Sequence, residues 1–149
     1  MEPAVDYNVK DNSVPAAQPP ARPQCGVTTI IVVEDDPSVR RIAAKILTSG
    51  GFEVWVARHG PEALEVWQQL GCRADLLITD LEMPFGMDGL TVASILRQSL
   101  PSLKVILISG YAQEPPQLNE LKEASIEFLP KPFPAGVLLK TVRACVGGS

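Results

Sequence analysis

The sequence has few of the residues that build disulfide frameworks or structural zinc sites. Its three cysteines, Cys25, Cys72 and Cys145, form no C-x-x-C pair, and the single histidine, His59, is too few to complete a zinc ligand set with them. We therefore expect the reduced thiols of a cytoplasmic protein rather than the disulfides of a secreted domain.

Membrane-spanning and basic segments are missing as well. No apolar run approaches the ~20 residues that cross a bilayer, and residues 1–6 lack the basic start and apolar stretch of a secretory signal. Lysine and arginine number 13 against 17 acidic residues, a net charge of −4. Because nucleic acids and anionic membranes attract basic surfaces, we expect partners of neither kind.

The composition changes once along the chain. Residues 1–26 are rich in Pro, Ala, Asn and Gln, and we interpret them as a flexible N-terminal tail, since such a segment buries little apolar surface. Residues 27–146 are predicted to form a single domain, followed by a short C-terminal tail at 147–149.

Within the domain, short apolar runs alternate with helical patterns. Runs without polar alternation occupy residues 28–33, 76–79 and 105–108, and are typical of strands covered on both faces of a parallel sheet. Residues 52–57 and 126–129 are weaker runs that suit strands nearer the sheet edges.

Amphipathic stretches with helical spacing follow each of these runs. The first apolar stripe includes Ile42 and the last includes Val137, so we expect both residues in the core. The stretch 117–124 has few apolar anchors and is expected to be the least firmly held helix. Five strands that alternate with five helices predict a doubly wound α/β sandwich with right-handed crossovers.

Polar residues stand where the apolar runs end. The run 28–33 is followed by the acidic residues 34–36, and the run 76–79 by Asp80. The run 105–108 is followed by Ser109, and the run 126–129 leads to Lys131. Because ligands of open α/β sheets bind beyond the carboxyl ends of the strands, we expect these groups to meet at one rim.

Such a set of groups suits phosphoryl chemistry. Clustered carboxylates repel one another unless a cation neutralises them, and hard oxygen ligands favour Mg2+. Phosphoryl transfer needs mainly positioning and charge neutralisation, and an aspartate can itself be the acceptor. Asp80 is the best candidate acceptor because it ends a central strand, whereas Glu34 and Asp35 are better placed to hold the metal.

Five motifs in order resemble the response-regulator receiver family of two-component signalling, of the single-domain or hybrid-kinase-associated kind. They are VVEDDP at 32–37, TDLEMP at 79–84, MDG at 87–89, ISGYA at 108–112 and PKPF at 130–133. The resemblance covers about residues 27–146. It implies a flavodoxin-like three-layer sandwich whose five-stranded parallel sheet has the order 2-1-3-4-5.

The resemblance also implies a role for each acidic position. Asp80 matches the phosphorylated aspartate of the family. Glu34, Asp35 and Asp80 match carboxylates at the Mg2+ site, and the backbone carbonyl of Glu82 matches a further metal ligand.

Three further positions match the family's phosphoryl-binding and switching residues. Ser109 matches the hydroxyl that binds the phosphoryl group, and Lys131 matches the lysine that pairs with it. Phe128 matches the aromatic residue that changes rotamer on phosphorylation. Ser109 and Phe128 are therefore the two expected switch residues. The bond between Lys131 and Pro132 is expected to be cis.

The sequence departs from the family pattern in three places. Glu34 stands where aspartate is commoner, so its longer side chain is expected to reach the metal through water. The loop 84–87 is one residue longer than usual. Phe128 lacks the hydroxyl that a tyrosine would supply, so a switch here works by packing alone.

Each of these residues also has a plain structural interpretation. Asp80 could cap a helix, Ser109 could be a turn residue, and Lys131 could be a solvated lysine. Phe128 could be an ordinary core aromatic. The acidic run could simply favour a helix N-terminus, and Asp36 is expected to cap that helix.

The function predicted from these residues is a phosphorelay receiver, a signalling domain and not an enzyme acting on a separate substrate. A histidine kinase or phosphotransfer protein donates the group, and a downstream protein senses the change. One alternative is a degenerate receiver that serves as an interaction module. A second is a hydrolase of the haloacid dehalogenase type, although residues 80–82 match its D-x-D pattern only in part. No helix-turn-helix follows Val146, so we expect no DNA-binding output.

Overall fold

This computed structural model describes residues 9–10, 27–110 and 125–146. The strands described there form one parallel sheet. Its strands are β1 (Val9–Lys10), β2 (Thr29–Val33), β3 (Glu53–Ala57), β4 (Leu76–Asp80), β5 (Lys104–Ser109) and β6 (Ile126–Pro130). The helices described are α1 (Pro37–Ser49), α2 (Gly60–Gln69), α3 (Gly89–Ser99) and α4 (Ala135–Val146). The helix predicted within 117–124 lies outside the described residues.

The strands lie in the order β1-β3-β2-β4-β5-β6, and every neighbouring pair is parallel. The five strands from β2 onward reproduce the predicted order 2-1-3-4-5, so the predicted fold class is confirmed. Strand β1 was not predicted. It lies within the segment interpreted as a tail and pairs with the outer edge of β3, with Val9 opposite Val54.

Strand β2 shows why the central apolar runs lack polar alternation. Ile31 and Val33 belong to the core cluster beneath α2 and α3, whereas Ile30 and Val32 belong to the cluster beneath α1 and α4. Successive side chains of a strand point to opposite faces, so helices on both faces require apolar residues at every position. All five residues of β2 and of β4 are buried.

Local sequence sets the start of each of the first three helices. Asp36 caps α1, and its side chain accepts hydrogen bonds from the amides of Ser38 and Val39, as predicted. Asp88 caps α3 in the same way, through the amide of Thr91. At α2 the ring of His59 has this role, because its Nδ1 accepts from the amide of Glu62. These caps fix where the loops beyond the strands turn into helices.

Two residues predicted in the core are exposed. Ile42 is 55% exposed and Val137 is 42% exposed, so both predictions are wrong. The buried face of α1 is centred on Ala43, Ala44 and Leu47, and Ile42 lies about 100° around the helix from Ala43. Within the described parts of the chain, no helix is long and apolar enough to cross a membrane.

Candidate functional site at the carboxyl ends of the strands

Four side chains predicted to meet are brought to one edge of the sheet by the strand register. Glu34 directly follows β2, and Asp80 is the last residue of β4. Ser109 is the last residue of β5, and Lys131 directly follows β6. Neighbouring strands are parallel and end at nearly the same level, with Ser109 opposite Pro130. The carboxyl ends therefore form a common rim.

At this rim the ammonium group of Lys131 bridges two carboxylates. Its Nζ lies 3.2 Å from Oε1 of Glu34 and 3.1 Å from Oδ2 of Asp80. The other oxygen of Asp80, Oδ1, accepts a hydrogen bond from the amide of Glu82 at 3.3 Å. Each oxygen of the predicted acceptor thus has a donor, which fixes its orientation.

The carboxylates of Glu34, Asp35 and Asp80 form an acidic cluster. Each offers one oxygen, and these oxygens lie within 4.8 Å of one another. Glu34 is 1% exposed and Asp80 is 6% exposed, whereas Asp35 is open to solvent. An all-oxygen donor set with one side open to water fits a hard cation such as Mg2+, which keeps several of its waters.

The surroundings raise the pKa of Glu34 in this cluster and of Lys131 beside it. Burial raises the pKa of Glu34 from its ordinary 4.5 to about 7, although the hydrogen bond from the Asp36 amide and the charge of Lys131 oppose the rise. Burial alone would lower the pKa of Lys131, but the hydrogen bond to Asp80 and the neighbouring carboxylates raise it instead. The lysine therefore stays charged between them.

The backbone around Glu34 is held on both sides. Its amide donates to the carbonyl of Ala57 at 3.0 Å, and its own carbonyl accepts from the guanidinium of Arg40 at 2.9 Å. The amide of Asp36 donates to its Oε2 at 3.1 Å. The loop that carries two of the three clustered carboxylates is thus fixed by main-chain contacts.

The remaining predicted residues lie around the same rim. Ser109 is buried, and its carbonyl accepts a 2.7 Å hydrogen bond from the amide of Lys131, which precedes a cis bond to Pro132 as predicted. Glu82 is exposed beside Asp80. Phe128 is half-buried in the edge strand β6. The roles assigned to the Ser109 hydroxyl, the Glu82 carbonyl and the Phe128 ring remain predictions.

Two further residues contact the main chain at this site, although no role in it was predicted for either. A Cβ at Gly89 would collide with the main-chain carbonyl of Asp80, so only glycine allows α3 to begin this close to β4. The MDG motif was the signal for it. Arg40 precedes Arg41 in the sequence, and no local pattern separates the two residues.

The longer loop after β4 has a distinctive conformation. Phe85 and Gly86 both have a φ of 68°, a region that favours glycine. The Phe85 side chain is 70% exposed, and its ring meets the ring of His59 edge-on with 4.8 Å between centroids. The extra residue therefore places an aromatic ring on the surface near the start of α2.

Comparison with known proteins agrees with this geometry. The family described as "Response regulator receiver domain" matches residues 30–143. The sensor kinase CckA of Brucella abortus (strain 2308) is 40% identical over 118 residues, which are 79% of this chain and 12% of that protein. The chain therefore spans a small part of this curated relative.

Solved structures give the same result. The receiver domain of the hybrid histidine kinase CckA aligns with a TM-score of 0.65 at 36% identity, covering 79% of this chain and 98% of that one. The response regulator TrrA of Thermotoga maritima, solved in complex with Mg(2+)-BeF, aligns with a TM-score of 0.69 at 32% identity, covering 80% and 99%. With the acidic cluster at the expected rim, this chain belongs to the response regulator receiver domain family of two-component phosphorelays.

Proposed function

We propose that Asp80 accepts a phosphoryl group from a phosphohistidine of a histidine kinase or phosphotransfer protein. One observation carries the proposal: Lys131 bridges Asp80 and Glu34 at a rim where three carboxylate oxygens lie within 4.8 Å of one another. A nucleophilic carboxylate, a fixed cation and a place for a divalent ion are the parts that phosphoryl transfer needs.

Each of these groups has a defined task. The divalent ion would be held by Glu34, Asp35, Asp80 and the carbonyl of Glu82, and it would supply charge neutralisation there. An oxygen of Asp80 forms a bond to phosphorus while the bond from phosphorus to the histidine nitrogen breaks. The electron pair of that bond stays on the imidazole of the donor. The product is an acyl phosphate.

The phosphoryl group then changes the contacts of Lys131 and Ser109. Lys131 exchanges its contact with the Asp80 carboxylate for a phosphoryl oxygen, and the Ser109 hydroxyl binds another. The group adds about −1.5 to −2 of charge, which biases the domain toward a second arrangement of β5 and β6. In that arrangement Phe128 repacks, and the surface formed by β6 and α4 is altered for a downstream protein.

The partner classes and the location belong to the same proposal. The net charge of −4 supports a protein partner rather than a nucleic acid or an anionic membrane. The free thiols of Cys72 and Cys145 support a cytoplasmic location. The domain promotes only the gain and loss of its own phosphoryl group and acts on no separate substrate.

Labelling with a small phosphodonor such as acetyl phosphate tests the proposal. With Mg2+ present, the wild type should gain the mass of one phosphoryl group, and chelation of the metal should abolish the gain. Asp80→Asn should abolish labelling while the fold survives.

Asp88→Asn is the matched control, because this neighbouring aspartate caps α3 and lies outside the acidic cluster. It should label as the wild type does. Retained labelling of Asp80→Asn, with the group located on Asp36 or Asp88, would refute Asp80 as the acceptor. Continuous turnover of a small phosphomonoester by the wild type would favour a hydrolase instead.

A further inference from the structure

Two arginines lie side by side on α1 but have different surroundings. Arg40 is half-buried, and its guanidinium donates to the carbonyl oxygen of Glu34 at 2.9 Å. Arg41 is exposed on the next position of the helix. Arg40 therefore reaches back across the first turn of the helix to the loop that carries the acidic cluster, and the exposed Arg41 provides a comparison of equal charge.

The carbonyl that Arg40 binds belongs to the peptide unit that joins Glu34 to Asp35. A peptide unit is planar, so fixing its oxygen also fixes the direction in which the chain enters Asp35. On the other side of Glu34, the amide is held by the carbonyl of Ala57 at 3.0 Å. The two contacts together leave the main chain at Glu34 little freedom to rotate.

Charge alone does not account for a guanidinium at this place. A cation in the first turn of a helix opposes the helix dipole. A cation close to a divalent-ion site also repels the ion that the site is to bind. The contribution of Arg40 must therefore come from its directed hydrogen bond, which holds the exposed carboxylate of Asp35 near the buried carboxylates of Glu34 and Asp80.

We propose that Arg40 is a positioning residue for the metal site, which orients the peptide between Glu34 and Asp35 so that the Asp35 carboxylate faces the divalent ion. This role rests on the proposed function, because it concerns the same cation. It gives Arg40 a task that Arg41 does not share, although the two residues have the same charge and lie on the same helix.

Calorimetric titration with Mg2+ tests the role. Removal of Arg40 should weaken Mg2+ binding if the residue positions the loop, and should strengthen it if only its charge matters. Arg40→Ala should weaken Mg2+ binding by at least about fivefold, since a charge-assisted hydrogen bond is lost. Arg41→Ala removes an equal charge without this contact, and its affinity should stay within about twofold of the wild type. Arg40→Lys keeps the charge and a donor, and should recover part of the loss.

A second measurement needs no metal. In the metal-free protein, the amide of Asp36 donates to Oε2 of Glu34, and its hydrogen exchange reports the order of this loop. Exchange at Asp36 should be faster in Arg40→Ala than in the wild type and unchanged in Arg41→Ala. Thermal unfolding of each metal-free variant shows that the fold is retained.

The outcomes of these measurements distinguish the positioning role of Arg40 from the existence of the metal site. An Arg40→Ala variant that binds Mg2+ as tightly as the wild type, or more tightly, overturns the positioning role and leaves the proposed function intact. Unchanged exchange at Asp36 in this variant also overturns it. A wild type that binds no Mg2+ overturns the metal site itself, and with it this role for Arg40.

Discussion

At the residue scale, Glu34 links the chemistry of the site to the stability of the domain. Its pKa is about 7 in the folded domain, against an ordinary 4.5, mainly because the carboxylate is buried. The folded state therefore binds this proton more tightly than the unfolded state. The stabilisation of the folded state by this proton is complete below the unfolded pKa of 4.5 and is lost as the pH rises through about 7.

Glu34→Gln has no such titration, so a comparison with this variant isolates it. In the absence of metal, the free energy of unfolding of the wild type relative to Glu34→Gln should fall by up to roughly 3 kcal/mol between pH 4.5 and pH 8. Urea unfolding at several pH values measures this difference. Glu65→Gln, at an exposed position on α2, is the control. An equal fall in the free energy of unfolding of the wild type relative to Glu65→Gln would contradict the assignment to Glu34.

Gly89 is the second residue whose substitution gives a sharp expectation. Gly89→Ala should destabilise the domain by about 1–3 kcal/mol, because the new methyl group collides with the Asp80 carbonyl. The same collision displaces Asp80, so phosphodonor labelling should also slow. Gly136→Ala is the control, since a Cβ there meets no atom within 4 Å. A Gly89→Ala variant with wild-type stability and labelling would disprove the close approach.

Among single residues, the sequence identifies those whose place follows from the end of an apolar run. Asp80 and Lys131 were predicted to meet on this basis, and they do. The contact of Arg40 with the Glu34 carbonyl depends instead on how α1 lies against the loop after β2. That relation between two elements is absent from the local pattern, so Arg40 and Arg41 look alike in the sequence.

At the scale of elements, β1 makes the outer edge of the sheet differ from the predicted one. The amide of Glu53 donates to the carbonyl of Thr28, so Glu53 and Trp55 direct their backbone groups toward β2. By alternation, the amide of Val54 faces the opposite side, where Val9 lies. Backbone groups at an uncovered edge would bond to water instead.

Removal of residues 1–26 should therefore change one set of amides and spare the other. Hydrogen exchange at Val54 should be faster by about tenfold or more in the shortened chain, because its amide loses the neighbouring strand. Exchange at Trp55, whose amide faces β2, is the internal control and should be nearly unchanged. Equal protection of Val54 in both chains would show that β1 does not cover this edge in solution.

The sequence predicted the elements well where burial on both faces forces a long apolar run. The runs at 28–33, 76–79 and 105–108 correspond to β2, β4 and β5. Strand β1 contains only two residues and is held by backbone pairing, which leaves no periodic signal. The errors at Ile42 and Val137 have another cause, because residues at the margin of an apolar stripe are buried only if a neighbouring element covers them.

At the scale of the whole molecule, Lys131 connects the residue after β6 to carboxylates at the ends of β2 and β4. Lys131→Ala leaves two carboxylates, each less than 10% exposed, without their shared cation. The metal-free variant should lose about 1–3 kcal/mol of stability at neutral pH, and Mg2+ should restore much of it. Thermal unfolding with and without Mg2+ measures both effects.

The same variant should separate labelling from response. Lys131→Ala should still label at Asp80 to some extent, whereas the changes that beryllofluoride induces at Phe128 in NMR spectra of the wild type should be lost. Lys140→Ala, at an exposed position on α4, is the control and should behave as the wild type in both measurements. A normal Phe128 response in Lys131→Ala would argue against the lysine as the coupling group.

The contact between Lys131 and Glu34 joins positions 97 residues apart. During synthesis Glu34 and Asp80 leave the ribosome before Lys131, so the nascent chain has both carboxylates before it has their shared cationic partner. The ion pairs of Lys131 with Glu34 and Asp80 therefore form only after β6 has docked beside β5. A chain that stops before residue 131 therefore lacks the ammonium group that bridges these two buried carboxylates.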